Sequence, residues 1–304
     1  MNTPDTQLDP RMHPEQTVYG VIGNPVAHSL SPLIHAEFAL QVKQPIYYGK
    51  LYADLGQFAQ TVDTFFARGG QGLNVTVPFK LEAFQICQKL TERAQAAGVV
   101  NILWQENGQY VGDNSDGIGL VRDIEKHPFQ IADKKILMIG AGGAVQGVVL
   151  PFMEKKPSQI TIANRTLEKA QAIVDRFLPQ AQAYGIGLSA IALDHILQLQ
   201  EAYSIIINGT SSGLQGSSPL VLSQAQYLQS TLQRTEPSLA YDMVYGKETD
   251  YMQQMKACGF QVKDGLGMLV EQAAEAFEVW RKLPQGSLDT TSVLHKLRTS
   301  LKKN

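Results

Sequence analysis

The chain has 304 residues, of which 44% are apolar and 18% are charged, and this length favours about two globular domains. A formal net charge of -2 with dispersed basic residues is not typical of a nucleic-acid-binding protein, so we expect small-molecule partners. Two cysteines provide neither a disulfide framework nor a paired metal motif, which favours a reducing, cytoplasmic location.

The N-terminal residues 1–16 contain three prolines, mixed charge and no apolar core. They lack the apolar region of a secretory signal, so we expect a loosely ordered arm. No stretch of the chain approaches the roughly 18 consecutive apolar residues of a membrane span, so no membrane partner is expected.

From Val18 onward, short β-rich runs alternate with helical stretches, which predicts a parallel α/β sheet. The first predicted series has strands at 18–22, 46–51, 72–75 and 99–104 and helices at 32–42, 58–68 and 79–88. The second series has strands at 136–139, 160–163, 204–207, 239–241 and 261–262, with helices ending near 153 and at 167–177 and 250–257. Compact apolar strands of this kind predict a doubly wound nucleotide-binding domain. Two further helices are predicted at 267–280 and 291–301.

The strongest generic motif is ILMIGAGGA at 136–144, where an apolar strand leads into three glycines and then a helix. Glycines permit a tight turn and a close approach to a pyrophosphate, and the amides at the start of the helix attract its charge. The third glycine of the strict dinucleotide fingerprint is replaced by Val145, so a plain strand–turn–helix joint remains an alternative.

The next strand ends at Asn164-Arg165-Thr166, and Lys169 follows. An NAD site commonly has an acidic residue here for the ribose hydroxyls, and this chain has none. The guanidinium of Arg165 suits a phosphate, which favours NADP over NAD. An ordinary surface arginine and lysine with no role in binding would give the same sequence pattern, so this alternative stays open.

Three polar motifs occur in the first series. Ser29 and Ser31 precede a helix that Pro32 can open, which suits carboxylate binding, although a helix N-cap explains one serine. Lys80 follows the strand in GLNVTVPFK at 72–80, where an isolated lysine is often simply solvated. The segment 113–116 concentrates Asp, Asn and Ser and is equally typical of a turn. The six histidines have no metal-binding spacing, so no metal site is expected.

The three polar motifs, then GAGGA at 140–144 and NRT at 164–166, in this order along the chain, together resemble the shikimate dehydrogenase family. The resemblance continues through NGTSSGL at 208–214, YDMVY at 241–245 and DGLGMLVEQA at 264–273, and it covers roughly residues 18–281. The chain departs from the family pattern at Ser115, where threonine is usual, and at Gly209, where alanine is common.

The resemblance implies two domains: a substrate and catalytic domain formed by 17–117 plus 266–304, and an NADP-binding domain at 118–265. The C-terminal helices would pack back on the first domain. The implied reaction is the reversible NADPH-dependent reduction of 3-dehydroshikimate to shikimate, a step of aromatic amino acid biosynthesis by way of chorismate.

The resemblance also assigns roles to individual residues. Lys80 is the expected acid–base residue and Asp116 its partner. The expected substrate-binding residues are Ser29, Ser31, Thr76, Asn101, Tyr245 and Gln272. The expected NADP(H)-binding residues are Glu92, Gly140, Ala141, Gly142, Gly143, Ala144, Asn164, Arg165, Thr166, Lys169, Met243 and Gly265. A lysine ammonium suits this chemistry because ketone reduction builds negative charge on an oxygen that must then be protonated.

Three alternatives stay open at this point. One is a quinate/shikimate dehydrogenase with broader substrate and NAD use, because an added hydroxyl is poorly discriminated by sequence. Another is a non-catalytic NADP-binding sensor that keeps the fold. A third, a two-domain dehydrogenase of amino acids or folates, is disfavoured by the serine pair and the segment 74–80. A monomer and a homodimer are equally compatible with the sequence.

Overall fold

The computed structural model describes residues 6–231 and 237–301, which divide into two compact α/β units. The first unit comprises the described residues up to Gly119 together with those from Leu269 onward, and the second comprises Leu120–Met268. The boundaries expected from the sequence lay two and three residues earlier, at 117/118 and 265/266.

The first unit is built on one six-stranded sheet. Its strands are β1 (Thr17–Gly23), β2 (Ile46–Tyr52), β3 (Gly72–Val75), β4 (Lys89–Leu90), β5 (Ile102–Glu106) and β6 (Gln109–Asp113), in the order β2-β1-β3-β5-β6-β4. Its helices are α1 (Ser31–Val42), α2 (Phe58–Ala67), α3 (Lys80–Ile86), α4 (Glu92–Ala97), α5 (Asp116–Glu125), α10 (Leu266–Arg281) and α11 (Thr290–Leu301). A boundary between the two units falls within α5 and again within α10.

The prediction of an all-parallel sheet is wrong for this unit, because β5 runs antiparallel to both β3 and β6. Asn107 and Gly108 join β5 to β6, and both have positive φ angles, 52° and 76°. An Asn-Gly pair favours the two-residue turn that connects antiparallel strands. This pair is visible in the sequence and could have predicted the hairpin that β5 and β6 form.

Alternate side chains of β1 enter two separate cores, as the pleat of a strand requires. Val18 and Ile22 belong to a core that includes Phe58 of α2. Tyr19 and Val21 lie on the opposite face with Tyr48 and Trp280. Burying each such large apolar side chain stabilises the unit by about 1.5–3 kcal/mol.

The C-terminal helices pack on the first unit, as the resemblance implied. The rings of Trp280 in α10 and Tyr19 in β1 stack with centroids 4.8 Å apart. Lys296 in α11 forms an ion pair with Glu37 in α1 at 2.6 Å.

The N-terminal arm is packed where the structure describes it, so the expectation of a loosely ordered segment does not hold for residues 6–16. Gln7 pairs with Leu51 at the edge of the sheet. The His13 ring stacks on Tyr47 at 3.5 Å, and Asp9 accepts from Arg68 at 3.0 Å. Residues 1–5 lie outside the described residues.

The second unit has a six-stranded sheet in which all strands are parallel. Its strands are β7 (Lys135–Ile139), β8 (Gln159–Asn164), β9 (Gly187–Ala192), β10 (Ile205–Asn208), β11 (Leu239–Asp242) and β12 (Gln261–Asp264). The helices between them are α6 (Gly143–Glu154), α7 (Leu167–Tyr184), α8 (Leu222–Ser230) and α9 (Asp250–Ala257). The order β12-β11-β10-β7-β8-β9 is that of a doubly wound dinucleotide-binding fold, which confirms the predicted fold class.

Several predicted elements differ from those observed. The strand predicted at 99–104 begins three residues later, and the helix predicted at 167–177 continues to Tyr184 before Gly185 ends it with a φ of 69°. The elements that the sequence reading did not anticipate are β4, α4, β6, α5, β9 and α8. No helix within residues 6–231 and 237–301 is long and apolar enough to cross a membrane.

Candidate active site

Lys80 and Asp116 form a close ion pair in the first unit. Lys80 is the first residue of α3, directly after the fully buried Phe79, and Asp116 is the first residue of α5. The Lys80 Nζ lies 2.5 Å from Asp116 Oδ2, and 21% of the lysine side chain is exposed against 8% of the aspartate side chain. An amine that is held by a carboxylate yet remains accessible is suited to exchanging a proton with a substrate.

Asn101 connects this pair to α10. Its Nδ2 donates to Asp116 Oδ1 at 2.8 Å and to Gln272 Oε1 at 3.4 Å. The Ser115 hydroxyl donates to the backbone oxygen of Gln272 at 3.0 Å. Lys80, Asp116, Asn101 and Gln272 come from four separate segments and lie in one cluster.

The serine pair lies at the start of α1. Leu30 occupies the N-cap and makes no side-chain capping bond, while the Ser29 hydroxyl accepts from the Ser31 amide at 3.3 Å. Ser31 is 4% exposed and Ser29 is half-buried. Neither serine occupies the N-cap, but the bond from the Ser31 amide to the Ser29 hydroxyl satisfies an amide at the start of the helix, so capping still accounts for Ser29 and leaves Ser31 unexplained.

Hydrogen bonds connect Tyr48 through Asn74 to the Lys80 cluster. Burial raises the pKa of Tyr48, and a hydrogen bond with Ser31 offsets part of that rise. The Tyr48 hydroxyl donates to Asn74 Oδ1 at 2.8 Å, and Asn74 Nδ2 donates to the backbone oxygen of Asn101 at 3.2 Å. The sequence reading assigned Tyr48 to strand packing and therefore missed its polar contact.

Thr76 lies at the carboxyl end of β3. Its amide donates to the Ile22 oxygen at 3.0 Å, and its methyl group lies against Gly23, where a Cβ would approach it to 2.4 Å. Its hydroxyl makes no hydrogen bond to any residue among those described, so it is available to a ligand.

The glycines of the second unit form an open cradle at the carboxyl end of β7. Gly140 has a φ of 112°, and a Cβ there would meet Thr210 at 3.1 Å. A Cβ on Gly142, the N-cap of α6, would meet nothing within 4 Å. The cradle lies between β7 and β10, where the strand order reverses, which is the ligand-binding position of doubly wound folds. Open space beside the first amides of α6 fits a pyrophosphate, and Ala141, Gly143 and Ala144 complete the turn.

The carboxyl end of β8 has exposed cationic side chains. Arg165 and Lys169 are both exposed, and neither forms an ion pair or a side-chain hydrogen bond within the part of the chain that the structure describes. The Asn164 amide donates to the Thr166 oxygen at 2.8 Å, which fixes the turn between them. Two unpaired cations at this tip fit an additional phosphate on the ribose, although Glu168 lies in the same first turn of α7.

Met243 and Gly265 lie against each other beyond β11 and β12. A Cβ on Gly265 would approach the Met243 oxygen to 2.3 Å, so only glycine fits there. Tyr245, in the same unit, is half-buried, and burial raises its pKa. Glu92 is exposed in the first turn of α4, in the first unit, and has no contact with the Lys80 cluster.

Two polar groups, one half-buried and one fully buried, were absent from the sequence-based assignments. Arg93 forms ion pairs with Asp113 and Glu275 in the first unit. In the second unit, Asp242 accepts from Thr249 at 2.5 Å and from Asn208 at 3.2 Å, and burial raises its pKa. Among the described residues, no cluster of three His, Cys, Asp or Glu side chains is arranged to hold a metal ion.

Three family models match the chain. They describe the shikimate dehydrogenase substrate binding domain over residues 21–103, shikimate/quinate 5-dehydrogenase over residues 123–249, and the shikimate 5'-dehydrogenase C-terminal domain over residues 265–284.

Known proteins resemble the chain over nearly its whole length. The NADP(+) shikimate dehydrogenase of Cupriavidus taiwanensis is 50% identical, over 93% of this chain and 94% of that protein, and the enzyme of Cupriavidus necator is 49% identical over the same shares. The crystal structure of an Ael1 enzyme from Pseudomonas putida is 38% identical with a TM-score of 0.81, covering 93% of this chain and 98% of that one. The Thermus thermophilus shikimate 5-dehydrogenase, solved with NADP(H) and shikimate, is 26% identical with a TM-score of 0.78 and covers 93% and 99%. The chain belongs to the shikimate dehydrogenase family.

Proposed function

We propose that this protein catalyses the reversible NADPH-dependent reduction of 3-dehydroshikimate to shikimate, in the synthesis of aromatic amino acid precursors. The observation that carries the proposal is the 2.5 Å contact between Lys80 Nζ and Asp116 Oδ2 within a cluster of amide and hydroxyl groups. Relatives at about half identity that carry the name NADP(+) shikimate dehydrogenase support it.

In the proposed mechanism, Lys80 provides the proton and Asp116 orients the Lys80 amine. NADPH, when bound, supplies the hydride. As negative charge develops on the ketone oxygen, the Lys80 ammonium stabilises that oxygen and donates a proton to it. Asp116 holds the amine through Oδ2, and in the reverse direction the neutral amine accepts the proton from the substrate hydroxyl.

The polar groups around the pair bind the rest of the substrate. Ser29 and Ser31 bind the carboxylate beside the start of α1, where the partial positive charge of the helix favours an anion. Asn101 and Gln272 bind ring hydroxyls from one side and Thr76 binds from the end of β3. Tyr245 is the remaining proposed substrate contact.

The first unit is thus the proposed substrate domain and the second the proposed NADP domain. The glycine cradle at 140–144 would hold the pyrophosphate, and Asn164, Arg165, Thr166 and Lys169 the adenosine phosphate. Met243 and Gly265 are proposed for the nicotinamide, and Glu92 is a further cofactor-side proposal. The exposed, unpaired charge of Arg165 supports NADP over NAD.

The free thiols of Cys87 and Cys258 support a reducing, cytoplasmic environment. The proposed partners are small molecules, with a monomer or a homodimer as the assembly. The close contact between Lys80 and Asp116 argues against a non-catalytic sensor, because a binding module does not need an acid–base pair.

The test is a comparison of kcat/KM for shikimate and quinate, each with NADP+ and NAD+, followed by the absorbance of the reduced nicotinamide. The proposal predicts that shikimate with NADP+ gives the highest value. A preference for quinate with NAD+ would favour the broader quinate/shikimate alternative, and absence of turnover with all four combinations would favour the sensor.

A further inference from the structure

The carboxylate of Asp113 accepts four hydrogen bonds, although it lies three residues before the proposed catalytic partner. Its Oδ1 accepts from the Thr91 hydroxyl at 2.5 Å, from Arg93 Nε at 2.6 Å and from the Asn114 amide at 2.7 Å. Its Oδ2 accepts from Arg93 Nη2 at 2.5 Å. With 2% exposure, this carboxylate is fully occupied by protein donors and is not a ligand site.

These bonds fix the turn that carries Asp116. The Asn114 side chain bridges the turn, because its Oδ1 accepts from the Asp116 amide at 3.1 Å and its Nδ2 donates to the Val99 oxygen at 3.2 Å. The Ser115 amide donates to Asn101 Oδ1 at 2.9 Å. Asp113 is the anchor at one end of this turn, and the carboxylate that contacts Lys80 is at the other.

Arg93 also reaches the helix that carries Gln272. Its Nη1 lies 2.9 Å from Glu275 Oε1, and Glu275 is 5% exposed. Glu275 lies three residues after Gln272 on α10, which places the two side chains on neighbouring positions of one helix face. A single guanidinium therefore ties together the turn of Asp116 and the helix of Gln272.

We infer that Arg93 is a positioning residue for the reaction: its planar fork holds Asp113 and Glu275 and thereby sets where Asp116 and Gln272 meet the substrate. The inference rests on the proposed function, because a positioning role for Arg93 requires that Lys80, Asp116 and Gln272 act in the reaction as proposed. A lysine cannot replace the fork, since it offers a point charge without the parallel pair of donors that Asp113 receives.

The test compares Arg93→Lys with Arg281→Lys. Arg281 also lies in the first unit, partly buried, where it donates to Gln44 and Tyr19 but does not contact the 113–116 turn. Displacing a catalytic group by about 1 Å costs up to about 10²-fold in rate. We expect Arg93→Lys to lower kcat by about 10-fold or more and to raise the KM for shikimate, and Arg281→Lys to change neither.

The pH dependence separates positioning from a merely structural role. Because Arg93→Lys loosens Asp116, its pH profile of kcat is expected to move in the same direction as that of Asp116→Asn. Asp113→Asn, which keeps the shape of the side chain, is the second variant. Its pH profile of kcat is expected to shift in the same direction. Circular dichroism identifies the folded variants, and titration of active sites corrects kcat for any unfolded fraction.

The inference is overturned if a folded Arg93→Lys or Asp113→Asn variant keeps the parent kcat per active site and the parent pH profile. Asp116→Asn and Lys80→Ala are measured alongside. If those two variants retain full activity with shikimate, the proposed roles of Lys80 and Asp116 fail; if the parent protein does not turn over shikimate with NADP+, the proposed function fails. If those two variants lose activity and the Arg93 and Asp113 variants do not, only the positioning role fails.

Discussion

Asn101 donates from Nδ2 to Oδ1 of Asp116 at 2.8 Å, which leaves Oδ2 of the same carboxylate to face Lys80 at 2.5 Å. The carboxylate is therefore held by a neutral amide on one oxygen and oriented toward the ammonium on the other. This division directs the charge of Asp116 at Lys80, which supports the proposal that the aspartate orients the amine and does not itself exchange a proton.

Asp116→Asn is expected to lower kcat for shikimate oxidation by about 10²-fold, because asparagine keeps a bond to Asn101 but removes the charge that orients Lys80. Steady-state kinetics with both substrates saturating measure the effect. Asp175→Asn, at an exposed position in α7, is the matched control and should behave as the parent. Parent-like turnover of Asp116→Asn would refute the orienting role.

Ser31→Ala is expected to raise the KM for shikimate by about 10- to 100-fold with a smaller change in kcat, because a hydrogen bond to a charged group contributes about 1.5–3 kcal/mol. The measurement is the dependence of the initial rate on shikimate concentration. Ser230→Ala, exposed at the end of α8, tests for a general effect of removing a hydroxyl. An unchanged KM would exclude Ser31 from carboxylate binding.

His35 makes stability depend on pH. Burial lowers its pKa from about 6.5 to about 3, and the nearby Asn74 side chain offsets this only in part. Between these two values the unfolded chain binds a proton that the folded chain does not, so acidification destabilises the fold by about 1.4 kcal/mol per pH unit from this residue.

His35→Phe keeps the stacking on Tyr48 and removes the titration. Its free energy of unfolding, measured with urea at a series of pH values from 6.5 downward, should fall less steeply than that of the parent. If the free energy of unfolding falls equally steeply with pH in both proteins, His35 is not the source of the pH dependence.

Gly209 accommodates Val145, which occupies the position of the missing third fingerprint glycine. A Cβ at residue 209 would lie 2.6 Å from a Val145 methyl group and 3.2 Å from the Met243 sulfur. Gly209→Ala is therefore expected to destabilise the protein by about 1–3 kcal/mol. Adding Val145→Ala should recover part of this loss, with a coupling of about 0.5–3 kcal/mol in a double-mutant cycle of thermal or urea unfolding. If the effects of the two substitutions on the free energy of unfolding are simply additive, residues 209 and 145 do not compete for this space.

Local patterns predicted the parts of the molecule that depend on neighbouring residues. The apolar strand before Gly140 and the polar ends of β1 and β3 follow directly from the sequence. The pairing of Lys80 with Asp116, which are 36 residues apart, was implied only by the family resemblance, and the two side chains lie together. What the sequence did not predict depends on distant segments. Tyr48 and Asn74 are 26 residues apart, and Arg93 and Asp113 are 20 apart, so their pairing exists only once the sheet has formed.

The Asn107-Gly108 turn is a different case, because the two adjacent residues that specify it can be read directly from the sequence. The alternation of strands and helices favoured a parallel sheet, and the sequence interpretation did not use the turn type that the dipeptide specifies. A two-residue turn joins only antiparallel strands, so the pair was sufficient to predict the β5–β6 hairpin.

The central claim, that Lys80 is the acid–base residue, is tested most directly by the kcat of Lys80→Ala with shikimate, measured together with the affinity for NADPH. Loss of the proton-transferring group predicts a decrease of roughly 10²–10⁴-fold in kcat with little change in NADPH binding. A variant that turns over shikimate at a rate near that of the parent would contradict the account.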